Sequence, residues 1–440
     1  MHLLLRGIFI LVIISFYNIA SAQQAGISPY SQIGIGDLAS EGFSRNISMG
    51  GAGIASNNRF YINHLNPSLN PEHSTVIYEF GLIGQVKTLT TTKASDNSTA
   101  ANLSYIGLLF PMKSKTIAGK RINTWGMGLG LKPFSTVSYK NTYLEKITGD
   151  TSNAVFNTRQ GNGGLNQVYI SNGVRVSKTI SIGLTTAYIF GPIVKESLLL
   201  FDTRRIDVVQ KNNISTLMFK PAITYKKQLG TEDTLQVNSK TFFSVAAGVD
   251  MFSNMTSTTQ TEYHRINPQT TAIQRSDTIN QSKNFSAALP FAYNLGFALD
   301  NFGTDQAQKW SLATDFSFAD WSKYSNFGIN AGLNKYYSFK IGGEYTPTYV
   351  NAKNYFNRMT YRAGLYYHHT PVVYTNNDII DFGATLGFGF SIPKTLTYLN
   401  LGFAVGQRGT TTNGAIKEQY VNMCIGVNIN DIWFFKRQLD

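Results

Sequence analysis

From about residue 74 onward the chain alternates large apolar residues with small or polar ones. In one stretch Leu289, Phe291, Tyr293, Leu295, Phe297 and Leu299 face Pro290, Ala292, Asn294, Gly296, Ala298 and Asp300. Another sets Phe382, Ala384, Leu386, Phe388, Phe390 and Ile392 against Gly383, Thr385, Gly387, Gly389 and Ser391, and the last sets out Val421, Met423, Ile425, Val427 and Ile429. Successive strand side chains point to opposite sheet faces, so a period of two predicts strands with one apolar and one polar face. A soluble sandwich also alternates, but its inner face is a packed apolar core. Here the second face is Gly, Asn and Ser, and the first carries large aromatics, which suits lipid outside and a lumen inside.

The pattern predicts roughly fourteen strands: 74–88, 100–112, 121–134, 165–177, 179–192, 214–228, 240–254, 284–301, 308–320, 336–347, 358–370, 380–392, 396–408 and 418–431. Links 89–99, 135–164, 193–213, 255–283 and 321–335 read as long loops, and those at 113–120, Lys178, 302–307 and 393–395 as short turns. Such barrels put short turns on the periplasmic side and long loops outside. Links 229–239 and 348–357 are longer than a periplasmic turn should be, which makes the strand placement there the point to check.

Composition narrows the class. Charged residues make up 14% and aromatics 13%, with 24 Tyr and 29 Phe. Arg6, the apolar stretch Gly7–Ile14 and Ala20-Ser21-Ala22 read as a secretory signal over 1–22. No apolar run is long enough for a spanning helix. An exported chain of this kind enters a membrane only as a closed sheet, in which every backbone group is paired. Cys424 is the one cysteine, so no intramolecular disulfide is available. The net charge is +13, but Lys and Arg are scattered through turns, as in Lys113-Ser114-Lys115, rather than forming a stripe. That argues for solvated charges near anionic headgroups rather than a nucleic-acid partner.

Residues 23–73 do not alternate and need a protected place. They carry Met49-Gly50-Gly51-Ala52-Gly53-Ile54-Ala55 and Asn66-Pro67-Ser68. The glycines match neither the dinucleotide nor the P-loop spacing, so they read as tight turns and close packing. With Ala319-Asp320-Trp321, Gly342-Gly343-Glu344-Tyr345-Thr346-Pro347, Tyr361-Arg362-Ala363-Gly364-Leu365 and Trp433-Phe434-Phe435-Lys436-Arg437, these pieces resemble the FadL family of outer-membrane transport proteins for long-chain fatty acids and hydrocarbons, in the divergent form found in Bacteroidota. The resemblance implies an all-β fold: a transmembrane antiparallel β-barrel of about fourteen strands (74–440) with an N-terminal hatch, or plug, in the lumen (23–73). It also implies that hatch movement and a lateral opening in the wall release a hydrophobic ligand. Gly50, Gly51, Gly53, Asn66 and Pro67 are its hatch residues. The chain departs from the family pattern in having Ser68 where alanine is usual, and in the polar character of 135–164 and 255–283.

Asp250, Asp300, Asp315 and Arg362 fall on the small, polar face of their strands and are the candidate lumen-facing residues, pairing with one another and the hatch or binding a ligand headgroup. A charge turned to lipid would cost about 2–4 kcal/mol for a basic residue near the midplane. His368 and His369 point to opposite faces and so do not make a metal pair. Neither metal nor other cofactor is expected. The reading is a non-enzymatic outer-membrane channel for passive uptake of hydrophobic or amphipathic small molecules, its partners being such a ligand and membrane lipid. The alternative is a FadL-like barrel serving protein secretion or surface attachment as a type IX secretion accessory. An outer-membrane acyl-hydrolase is a third reading, and it calls for a Ser–His contact at the lipid-facing or outer rim.

Overall fold

A computed structural model describes residues 27–40, 42–117, 120–147, 150–200, 205–230, 239–267, 272–281, 289–303, 308–326, 329–348, 354–374, 377–393 and 395–431. The signal at 1–22 and the Trp433–Arg437 motif lie outside the described residues. A two-residue strand, β1 (Asp37–Leu38), and one helical turn, α1 (Ser44–Ile47), belong to the N-terminal segment. The wall then follows as β2 (Val76–Thr90), β3 (Ser95–Ile117), β4 (Lys120–Ile147), β5 (Asp150–Arg175), β6 (Ile180–Leu200) and β7 (Arg205–Leu229). Next come β8 (Ser239–Phe252), β9 (Thr256–Ile266), β10 (Ile273–Gln281), β11 (Ala292–Gly303) and β12 (Gln308–Asp320). A small hairpin, β13 (Ser325–Asn326) and β14 (Ile329–Asn330), precedes β15 (Lys335–Tyr345), β16 (Thr360–Tyr374), β17 (Asn377–Ser391), β18 (Thr397–Arg408) and β19 (Lys417–Asp431).

All wall pairings are antiparallel, and β19 pairs with β2 along its whole length, which closes the sheet. Both β8 and β9 pair with β7, and β10 and β11 pair with β9 and β8, so each couple is one wall strand with a break. The result is a closed fourteen-stranded antiparallel barrel. We call the rim where β2 begins and β19 ends the terminal rim, and the opposite one the far rim.

The period-two reading holds along the strands themselves; Leu289, placed outward by the alternation, precedes β11 and is instead buried in the interior apolar cluster. On β11, Tyr293, Leu295 and Phe297 are 51%, 38% and 39% exposed, whereas Asn294, Ala298 and Asp300 are buried. The outward row continues through Phe316, Phe339, Leu365, Leu386, Phe403 and Met423 as an apolar band. In water such a band would be untenable; around a closed barrel it matches the lipid-facing surface of an outer-membrane protein.

The expected loops need correction. Strands β4, β5, β6 and β7 are 28, 26, 21 and 25 residues long, and 135–164, 193–213 and 255–283 are largely ladder rather than loop. The supposed long link 89–99 is a turn at Thr91–Ala94. Since a membrane crossing takes about 9–11 residues, this sector stands well beyond the apolar band as a tall wall on one side of the far rim. The strand count survives the long links flagged above: among the described residues of 346–359 the one regular element is a 3-10 turn, Tyr355–Arg358.

Candidate functional site

The N-terminal segment threads the ring from rim to rim. At the far end Ser28 donates to Glu418 (2.7 Å) and Asp37 pairs with Arg408 (2.7 Å). At the terminal end Glu72 pairs with Arg175 and with Lys226 (3.1 Å). A segment that meets the inward face of strands all round a closed sheet lies within it.

The midsection is pinned by charge. Glu344 on β15 accepts from Arg45 of α1 (Nη2–Oε1 2.8 Å) and from Arg362 of β16 (Nε–Oε2 3.0 Å). Asn58 adds a third donor at 3.2 Å, and the Arg362 guanidinium lies over the Tyr61 ring at 4.8 Å. Arg362 also donates to Asn400 (2.9 Å), while Arg45 reaches Ser56, whose hydroxyl donates to Asp300 (3.1 Å). Asp300 further accepts from Gln308 and Ser311. Asp315 accepts the backbone N–H groups of Gly53 (2.7 Å) and Ile54 (3.0 Å). Of the four candidate lumen residues, Asp300, Asp315 and Arg362 thus meet the segment or its ion pair. Asp250 pairs with Lys220 (3.1 Å) and accepts from Asn294 (3.3 Å) within the wall.

The hatch candidates are packed as closely. Gly50 (φ 68°) donates to Thr385 (2.8 Å), and a Cβ on Gly364 would lie 2.3 Å from the Gly50 nitrogen. Only glycine fits where two backbones come this close. Gly51, also at positive φ, sits against the Lys340 side chain. Asn66 caps Pro67–Glu72 by accepting from the Ser68 N–H, and it donates to Ile54 and Thr224. The Pro67 carbonyl lies over Gly173 and Gly183.

Several residues escaped the sequence reading. Glu344 shares the inward parity of Gly342 but was read as part of a motif; Glu79 accepts from Tyr105, Ser44 and the Ile62 N–H. Also unforeseen is the filling of the far half. Ile189, Ile193, Ile214, Met218 and Leu289 point inward and form one buried apolar cluster with Trp321, Tyr324 and Leu333 of the 321–334 link, which folds in rather than out. A Ser–His contact exists, Ser338–His368 at 2.8 Å, but Ser338 is 1% exposed on an inward position, not at an outer rim. Among the described residues no three His, Cys, Asp or Glu side chains gather as a metal site.

One break in the wall remains. Strand β3 pairs with β4 only from Ile106↔Leu131 to Ile117↔Lys120. Beyond that, β3 keeps only β2, and β4 keeps β5. The seam between them is occupied by the N-terminal segment: β1 pairs with Ser135 and Thr136 of β4, Lys132 donates to the Ser40 carbonyl, and Ser98 of β3 accepts from the Ile27 N–H. Outward apolar positions on β2 continue to Val86, opposite Thr99 of β3, so the lower seam lies at the height of the apolar band. The lips carry Tyr105, Val137 and Tyr139, all members of the interior apolar cluster.

Solved barrels share this fold. The Pseudomonas putida toluene transporter TodX aligns with a TM-score of 0.58 at 15% identity, covering 90% of this chain and 100% of that one. The CymD monoaromatic hydrocarbon channel gives 0.52 at 10%, covering 91% and 99%. A Pseudomonas aeruginosa FadL homologue gives 0.52 at 10%, covering 89% and 98%. At such identities the likeness is one of fold: a FadL-like, multi-pass outer-membrane β-barrel. No curated protein matches the chain. Residues 4–440 match the family profile described as BamG.

Proposed function

The chain belongs to the BamG family, and on that premise we propose that it is a gated channel passing a hydrophobic or amphipathic small molecule between its interior and the membrane. The carrying observation is the β3–β4 seam, an opening at apolar-band height whose lips join the interior apolar cluster. The segment within the barrel acts as the hatch: β1 adds two residue pairs to the β4 lip, and the remaining contacts across the seam are single hydrogen bonds that can break one by one. No reaction is involved, and no energy source beyond the ligand gradient.

A cysteine lock tests this. Leu38 and Ser135 are direct cross-strand partners, so a Leu38→Cys/Ser135→Cys variant can tie the hatch to the β4 lip. In liposomes loaded with a fluorescent fatty-acid sensor, the reduced variant takes up a medium-chain fatty acid as the parent does; oxidation stops uptake and reductant restores it. Uptake that ignores the lock, or that never exceeds protein-free vesicles, overturns the reading.

A second reading, contact with another protein at the cell surface, is favoured by the tall wall. Its ladder carries Thr, Asn and Gln in place of the apolar groove that ligand capture would use.

A further inference from the structure

The β4 lip of the seam extends past the point where the hatch covers it. Ser138 sends both its backbone groups into the seam: its C=O accepts from the Ser28 N–H (2.7 Å) and its N–H donates to the Ser31 hydroxyl (3.0 Å). Backbone groups alternate sides along a strand, so Lys140, Thr142 and Leu144 also turn their N–H and C=O away from β5. On that side these three have no backbone partner among the described residues. Ile27, the first described residue, gives its N–H to the Ser98 hydroxyl on the opposite lip rather than to β4. An unpaired strand edge is a template for another strand.

Beside this edge lies an exposed apolar row on the tall wall. Leu144, Phe156 and Leu200 are direct neighbours across β4, β5 and β6 and are 64%, 55% and 46% exposed. They sit beyond the apolar band, with the mutually bonded Thr142 and Thr158 beside them. Neither lipid nor the barrel interior accounts for them.

We propose that the β4 edge at Lys140–Leu144 takes an extended segment of another polypeptide as an added antiparallel strand. Main-chain bonds to Lys140, Thr142 and Leu144 hold it, an apolar residue opposite Leu144 extends the apolar row, and an acidic residue meets the exposed Lys140. The antiparallel sense follows the precedent of β1, which already adds itself to this edge at Ser135 and Thr136. A second copy, held upright in the same membrane, would offer its own β4 only in parallel. The proposal rests on the second functional reading and is independent of transport.

The test places a benzoylphenylalanine photo-crosslinker at Phe156 in intact outer membranes and compares Thr142→Pro with Thr142→Val. The Thr142 N–H faces the seam, so proline removes the edge donor while sparing the β4–β5 ladder. We expect an adduct to a polypeptide, mapped by mass spectrometry to an alternating segment, that Thr142→Val keeps and Thr142→Pro lowers about tenfold. Heat-modifiable migration should be the same in both variants. No adduct, or adducts only to lipid, to a second copy or to this chain's own N-terminus, overturns the proposal. So does a polypeptide adduct that Thr142→Pro leaves at full yield, although that outcome would leave the surface-partner reading standing.

Discussion

Glu344 is one carboxylate shared by two guanidinium groups, and the side chains of Glu344, Arg45 and Arg362 are 2%, 2% and 0% exposed. Burying three charges gains little by itself, but removing the shared one leaves two cations facing each other without water. Glu344→Ala should therefore loosen the N-terminal segment by about 3–5 kcal/mol, read as protease cleavage within residues 42–73 under conditions where the parent is resistant. Equal resistance would mean that the ion pair does not hold the segment. Two groups at the terminal end predict acid sensitivity. Burial raises the Glu72 carboxyl, but Lys226 and Arg175 outweigh it and hold it at about 2, below its ordinary 4.5. The stability it lends is complete above pH 4.5 and is lost as pH falls through 2. Burial also depresses His73 to about 4 from 6.5, so the unfolded segment takes up the proton first and stability falls between pH 6.5 and 4. The protection factors of the Pro67–Glu72 amides against hydrogen exchange should fall in two steps on acidification, and His73→Gln should abolish the first alone. Parity along the strands assigns Asp250, Asp300, Asp315 and Arg362 to the small, polar face, and all four are buried. It could not find Arg45, because an irregular segment has no period from which to read direction.

At the scale of elements, the N-terminal segment is fixed less by its own structure than by glycines in the wall. Its helical turn, Ser44–Ile47, is four residues long and lacks a side-chain cap, too little to persist alone. The wall makes room for it: added Cβ atoms on Gly342 and Gly364 would fall 2.1 Å from the Met49 carbonyl oxygen and 2.3 Å from the Gly50 nitrogen. Gly364→Leu should expel the Met49–Gly53 turn without unfolding the barrel, since its neighbours Ala363 and Leu365 keep their ladder. Proteolysis of the segment with unchanged heat-modifiable migration would show it; an intact segment would mean that β16 yields instead. Strand positions were legible because one face of each meets lipid. Strand lengths were not: at Thr256–Thr261 or Thr142 and Thr158 both faces are polar, so the hydrophobic period vanishes while the ladder continues.

That difference separates two regions of the whole molecule, a lipid-clad cylinder and a wet wall on one side of its far rim. The β5 strand runs through both. Its outward positions Val168, Ile170 and Val174 are apolar and exposed, whereas Gln160 and Thr158, on the same face about four to five repeats of the pleat beyond Val168, are polar. If hydrocarbon ends between them, a charge should be costly on one side and harmless on the other. Ile170→Arg should cost about 2–4 kcal/mol near the midplane, falling toward zero at the interface. Thr158→Arg should cost almost nothing, because the long side chain already stands in water. Reversible folding into lipid vesicles, followed by denaturant titration, measures both on the same strand. Equal penalties would place the tall wall inside the bilayer and remove the basis for a surface partner. A large penalty at Ile170 alone would fix the far edge of the membrane below Thr158, with the unpaired β4 edge above it, within reach of a polypeptide but not of lipid tails.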